Sequence, residues 1–179
     1  MKFGRVGKSV TGVSAAAMIA MSVLIMPWES VRYKAYVDMA GVLTVCYGHT
    51  GADIAPDKIY THEECVALLV ADTKKHEAYI DRATTRPIPD LTKAAFISFV
   101  FNTGRFKGTT LEKKVNAGDL RGACDQLSRW VYVKGEVVNG LMNRRVLGDA
   151  TRYSERTICL MGLDAGYAPP WLETVLSGA

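Results

Sequence analysis

The chain has 179 residues, 49% of them hydrophobic, and a formal charge of +4. Lys2, Arg5 and Lys8 supply three of those charges, so the remainder carries about +1 and lacks the basic excess that nucleic-acid binding requires. Beyond the N-terminal segment about 150 residues remain, enough for one globular domain with a proper core, in one or two lobes.

Between Lys8 and Glu29 run 20 residues without a charged side chain. As a helix they would span roughly 30 Å, the thickness of a bilayer core. The run is built from Ala, Gly, Ser, Thr, Met and Val rather than mainly from Leu and Phe. Each residue therefore gains less on leaving water than a leucine would, and the segment is expected to enter a membrane and later to leave it. The three cations precede it, which keeps the N-terminus cytoplasmic and exports the rest of the chain. A cleaved signal peptide is the alternative. However, a small-residue site around Ala15 to Ala20 would cut the apolar run in half, so retention is the better reading.

From Trp28 to Tyr33 the helix could continue for a turn or two before Met39-Ala40-Gly41 breaks it. Val42 to Tyr47 is a short β-rich run closed by Gly48 and Gly51, and a small antiparallel sheet over roughly residues 34 to 60 is expected. Thr61 with Glu64 forms a capping box that opens a helix through Val66, Leu69, Val70 and Thr73. After Pro87 and Pro89, Leu91 to Phe101 is apolar almost all round, the pattern of a helix at the centre of a domain. Shorter helices are expected at about 109 to 116, 119 to 129, 139 to 148 and 152 to 162, punctuated by Gly118, Gly135 and Gly140. Only one sheet is apparent, and the tail from Tyr167 to Ala179 reads as a loosely docked extension. The class is α+β and mostly helical.

Cys46, Cys65, Cys124 and Cys159 all lie beyond the apolar run, and an even count in an exported domain points to disulfides. Three pairings are possible; proximity along the chain suggests Cys46–Cys65 and Cys124–Cys159. Cys46-x-x-His49 and His62-x-x-Cys65 also have zinc-ligand spacing, a reading that an oxidising compartment disfavours. No metal or other cofactor is expected.

Glu29 stands nine residues before Asp38, and Thr44 six beyond that. Two acids and a hydroxyl on a helix end, a sheet entry and a strand are what glycoside hydrolysis needs. One carboxylic acid protonates the leaving oxygen, and a second carboxylate activates water that a threonine helps to hold. Spacing alone would equally suit ordinary surface residues. Context decides. The stretch Glu29-x-x-Arg32-x-x-Ala35-Tyr36-x-Asp38-x-x-Gly41-Val42-x-Thr44-Val45-Cys46-Tyr47-Gly48-His49-Thr50-Gly51 closely resembles the active-site region of phage-type lysozymes, glycoside hydrolase family 24. The similarity continues through Tyr60-Thr61-x-x-Glu64-Cys65, Ser98-Phe99-Val100-Phe101-Asn102-x-Gly104, Gly122 to Trp130 and Asn139-Gly140-Leu141-x-x-Arg144-Arg145. Within that family the signal-anchor-release endolysins of lambdoid phages look most similar, through their Gly/Ala-rich apolar start.

The resemblance implies a phage-lysozyme-like, two-lobed domain over residues 28–179 with a small antiparallel sheet, preceded by an N-terminal apolar helix in a signal-anchor-release segment, residues 1–27. It implies a muramidase that hydrolyses the β-1,4 bond between N-acetylmuramic acid and N-acetylglucosamine of bacterial peptidoglycan and so lyses the host cell. Glu29 matches the general acid, Asp38 the second carboxylate and Thr44 the water-positioning threonine. An acid in that role must hold its proton near neutrality, most simply through partial burial. The family usually inverts, which asks for carboxyl groups roughly 6.5 to 9.5 Å apart. Tyr47, His49, Asn102 and Arg144 are secondary candidates for substrate contact, and Arg144 or Arg145 could instead pair with an acid or form helix-surface salt bridges. Arg32 could satisfy Asp38 or Glu29, and Trp130 reads as core before sugar platform. The implied partners are peptidoglycan, the inner membrane before release, and a holin or pinholin; the implied location is the inner membrane and then the periplasm. With no cysteine before Cys46, a disulfide to the anchor segment cannot hold the enzyme inactive. A lytic transglycosylase, or a non-catalytic peptidoglycan-binding membrane protein, is the alternative. Two departures from the family pattern stand out: the shortened Gly104-Arg105-Phe106 loop, and the lengthened stretch from Val146 to Tyr153.

Overall fold

The computed structural model describes residues 12–38 and 41–177. The cations Lys2, Arg5 and Lys8, the helix break at Met39-Ala40 and the end of the tail lie outside the described residues. Helix α1 (Ala15–Ile19) continues without interruption into a π-helical stretch (Ala20–Ile25) and a last turn, α2 (Met26–Trp28). Pro27 has no N–H to give the Val23 carbonyl and its ring crowds that carbonyl, and the wide winding lies immediately before it. The helix ends at Trp28. Glu29 is already extended, at φ −98° and ψ 134°, and the expected continuation to Tyr33 gives way to strand β1 (Arg32–Val37).

Strands β2 (Leu43–Cys46) and β3 (His49–Thr50) complete an antiparallel sheet in the order β1-β2-β3, with Tyr36 opposite Thr44 and Val45 opposite His49. The tight connection from β2 to β3 puts Cys46 and Gly48 at positive φ. Helix α3 (His62–Ala83) opens on the expected capping box, with Thr61 and Glu64 satisfying each other's backbone N–H groups. Helix α4 (Asp90–Thr103) is the central helix: Ala94, Ala95, Phe96, Ile97, Phe99 and Val100 are fully buried. Gly104, at φ +67°, ends it in a left-handed cap.

Around α4 stand α5 (Thr110–Ala117), α6 (Leu120–Gln126) with a 3-10 turn (Leu127–Arg129), α7 (Asn139–Met142) running into a second π-helical stretch (Asn143–Leu147), and α8 (Glu155–Met161). A second, two-stranded sheet joins β4 (Tyr132–Val133) and β5 (Glu136–Val137), which corrects the expectation of a single sheet. Its signal is the Lys134-Gly135 pair, both at positive φ, as a two-residue hairpin turn demands. Nor is the tail loose. Helix α9 (Leu172–Ser177) packs against α1, with Trp171 and Val175 buried because they are the apolar side chains of one face.

Two disulfides form, Cys46–Cys65 from β2 to α3 and Cys124–Cys159 from α6 to α8. Both thiolates of the zinc-like spacing are thereby bound to each other. The apolar N-terminal stretch is part of the core: Ala16, Ala17, Ala20, Met21, Leu24 and Ile25 are wholly inaccessible and lie against α4. Ser14 fastens its start, accepting from the Ala17 N–H at 3.0 Å and donating to Glu77 Oε1 of α3 at 2.7 Å. Burying each large side chain of this stretch contributes about 1.5–3 kcal/mol. Among the described residues no helix is long and apolar enough to cross a membrane.

Candidate active site

Glu29 sits where the N-terminal helix gives way to the sheet. Its backbone N–H donates to the Ile25 carbonyl at 2.9 Å, which fixes the main chain at the helix end. Its side chain is partly buried, 27% exposed, and one carboxylate oxygen takes a close hydrogen bond from Arg144 Nη1. Arg144 is in turn held by Glu155, with Nε 3.2 Å from Oε1. Glu155 is completely buried and also accepts from Ser98 Oγ at 2.7 Å and from Arg145 Nη1 at 2.6 Å. Arg145 reaches Asn102 Oδ1 at 2.5 Å, and its guanidinium lies over the Phe99 ring. Burial pushes the Arg144 guanidinium toward losing its proton, but the charges of Glu155 and Glu29 outweigh it and raise its pKa. The buried Glu155 carboxylate is thus paired with both guanidiniums, the condition under which such charges persist in a core.

Asp38 and Thr44 are held differently. The Asp38 N–H donates to the Val42 carbonyl at 2.9 Å, while Asp38 Oδ1 accepts from the Val42 N–H at 2.9 Å. Thr44 Oγ1 donates to the same carbonyl at 3.0 Å. One peptide residue, Val42, thus ties the second carboxylate to the threonine. The single hydroxyl proton of Thr44 is committed, so toward any other group Thr44 acts as an acceptor.

The four secondary candidates are all engaged within the protein. Tyr47 is buried, and that burial, with Tyr33 nearby, pushes its phenol up. His49 lies between Asp72 Oδ2 at 2.8 Å from Nδ1 and Asp53 Oδ1 at 3.3 Å from Nε2. Gly51 makes room for this, since a Cβ there would stand 2.3 Å from Asp53 Oδ1. Burial pulls the His49 imidazole down, but the hydrogen bonds and charges of Asp72 and Asp53 outweigh it and leave its pKa raised. Asn102 is the acceptor for Arg145, and Arg144 is the partner of Glu29. The helix-surface alternative for Arg144 and Arg145 is corrected: both are buried, because α8 brings Glu155 beneath them. Arg32 stacks on Tyr36, 4.3 Å above its ring. Trp130 packs edge-on to Phe99 as core.

Glu155 carries no signal in the sequence. It comes directly after Ser154, whose Oγ accepts from the Thr157 N–H, and an acid in the first turn after such a cap ordinarily serves the helix dipole.

The chain matches the phage lysozyme family over residues 26–147. It is 45% identical over 161 residues to the SAR-endolysin of Bacteriophage PS119, covering 86% of this chain and 92% of that protein. With the SAR-endolysin of Escherichia phage Mu it shares 51% identity over 119 residues, 65% of this chain and 69% of the other. Among solved structures, the endolysin from Escherichia coli O157:H7 phage FAHEc1 superimposes with a TM-score of 0.66 at 27% identity, covering 89% of this chain and 98% of that one. The active form of the P1 phage endolysin Lyz shares the fold, with a TM-score of 0.66 at 24% identity, over 87% of this chain and 88% of that one. The family match spans Glu29, Asp38 and Thr44, and with the relatives' identity and coverage it leads to one conclusion: the chain belongs to the phage lysozyme family.

Proposed function

We propose that this protein is an endolysin muramidase that hydrolyses the β-1,4 bond between N-acetylmuramic acid and N-acetylglucosamine of peptidoglycan. The observation that carries the reading is Glu29, partly buried and held from behind by a buried guanidinium, within a chain of this family. Glu29 protonates the leaving glycosidic oxygen. Asp38 accepts a proton from the attacking water, and Thr44, able only to accept, takes that water's other O–H. Held by both O–H groups, the water presents a lone pair to the sugar carbon. A lytic transglycosylase has no use for a water so held, and a binding protein has no use for either acid.

The test is mass analysis of soluble products from peptidoglycan digested by the full-length protein, with Glu29→Gln beside it. Hydrated reducing ends from the wild type and none from the variant are expected. Anhydro ends, or a fully active variant, would overturn the reading. The full chain is needed because most of the side chains from Ala16 to Ile25 are buried in the core.

We further propose that residues 1–27 first hold the protein in the host inner membrane, with residues 28–179 as the catalytic domain in the periplasm. Release comes with the loss of membrane potential that a holin or pinholin brings about. The name SAR-endolysin carried by the phage PS119 relative supports this, as does the weakly apolar composition of the segment. The fold with the segment packed beside α4 then corresponds to the released form, since the segment cannot fill both the bilayer and the core. Ala15→Leu with Met18→Leu lies outside the fully buried face, so it strengthens membrane retention with little crowding of the core. Lysis should be delayed and the membrane-bound fraction should rise; retention with unchanged lysis timing would defeat the release model.

A further inference from the structure

The lengthened stretch before α8 folds back on itself around one arginine. Gly148, at φ +69°, permits the turn, because a Cβ there would stand 2.7 Å from the Arg152 carbonyl. That carbonyl accepts from the Asp149 N–H at 2.9 Å. Asp149 Oδ1 then accepts from the Thr151 and Arg152 N–H groups at 2.9 and 2.8 Å, while Arg152 Nε donates to Asp149 Oδ2 at 2.7 Å. The guanidinium so fixed lies 3.9 Å over the Trp28 ring. The next residue, Tyr153, accepts from Trp28 Nε1 through its carbonyl at 2.9 Å. Trp28 immediately precedes Glu29, and Glu29 is held by Arg144 from the near end of the same stretch.

We propose that Arg152, set by Asp149, is a positioning residue for catalysis: it seats Trp28 and thereby fixes the helix end from which Glu29 projects. The segment from Arg144 to Glu155 grips two consecutive residues, Trp28 by cation–π stacking and a carbonyl, Glu29 by an ion pair. Two points of attachment define the direction of the main chain between them, which one ion pair to a flexible carboxylate would not. The hydrogen bond from Arg152, with the backbone N–H of Thr151, holds the Asp149 carboxyl well below the usual carboxylate range, so the clamp keeps its charges throughout neutral and mildly acidic conditions. This inference rests on Glu29 being the acid.

The experiment compares full-length wild type, Arg152→Ala, Arg152→Lys and Trp28→Phe on soluble peptidoglycan fragments. Because a misplacement of about 1 Å can cost up to about 100-fold in rate, Arg152→Ala should lower kcat by about tenfold with KM unchanged. Arg152→Lys, which keeps a cation over the ring, should recover part of the loss. Trp28→Phe keeps a ring and loses the indole N–H, so it should fall between them. An unchanged kcat in Arg152→Ala overturns the proposal, and so does a loss that merely tracks a fall in Tm and disappears on cooling. A second readout does not need turnover. The side-chain N–H signal of buried Arg144 should shift in Arg152→Ala, because its Glu29 partner moves, and a signal left in place overturns the clamp. If the wild type itself yields no muropeptides, the muramidase reading fails, and the Arg144 signal alone then decides whether the clamp exists.

Discussion

Glu29 and the Asp38–Thr44 pair are held by opposite means. Glu29 depends on a side chain 115 residues away, which depends on Glu155, Arg145 and Asn102 in turn, all in or beside the core. Asp38 and Thr44 both bond to the backbone of Val42, four and two residues away. A group held by buried charges is sensitive to distant substitutions, since removing one partner strands another in a low-dielectric interior. Hydrogen bonds made within one turn are sensitive first to changes in that turn. Glu29 is thus coupled through side chains to the far end of the chain, whereas the hydrogen bonds of Asp38 and Thr44 to Val42 are local.

The largest effect expected is that of Glu29→Gln. It keeps the size of the side chain and a hydrogen-bond acceptor for Arg144, but has no proton to donate. Loss of general acid catalysis costs about 10²–10⁴ in rate. Cell-wall clearing should disappear while the thermal transition stays near that of the wild type. A variant that unfolds would mean that the charge of Glu29 serves stability first.

Next comes Glu155→Gln, which leaves Arg144 and Arg145 buried without their shared carboxylate. Breaking a buried pair costs about 3–5 kcal/mol, and here activity should fall too because Arg144 loses its anchor. Urea denaturation measures the first and clearing the second; stability lost with kcat intact in the folded fraction would separate the network from the site. Leu24→Ala, at a fully buried position of the N-terminal stretch, should cost about 2–5 kcal/mol. A smaller loss would mean that the core closes over the missing side chain. Thr44→Val sharpens the local side of the comparison. Thr44 is 4% exposed and its shape is preserved, so stability should change by less than about 1.5 kcal/mol, the loss of one hydrogen bond, whereas kcat should fall at least tenfold, about 1.4 kcal/mol in the barrier.

What could be read from the sequence obeys the same division. The capping box at Thr61, the apolar helix α4 and the sheet strands are set by neighbours a few residues apart, and they are where the pattern places them. The acids and Thr44 lie in one local motif, so the sequence shows them together. Glu155 and the Arg152 clamp join residues more than a hundred positions from Glu29, and no local rule reports that. The apolar start is the instructive case. Its composition suits a membrane and a core alike, and only the packing against α4 shows which environment it occupies in this fold.

The smallest effect concerns His49, a group of the sheet held between two carboxylates. Asp72 and Asp53 stabilise its protonated form enough to overcome the opposing effect of burial, so its pKa in the folded protein lies above the unfolded value of about 6.5. A group shifted upward binds its proton more tightly when folded, so folding is favoured where the proton is present. The contribution is complete below about pH 6.5 and is lost as pH rises through the folded pKa. Replacing Asp72 with Asn should therefore destabilise the protein most in mildly acidic solution and least in alkaline solution. Parallel denaturation curves from pH 5 to 9 would show the gap between wild type and variant closing with rising pH. A gap that widened instead would mean that His49 is held in its neutral form and that burial, not charge, decides its state. In either case the hydrogen bonds of Asp38 and Thr44 to Val42 should be little affected, because the partners of His49 are Asp72 and Asp53.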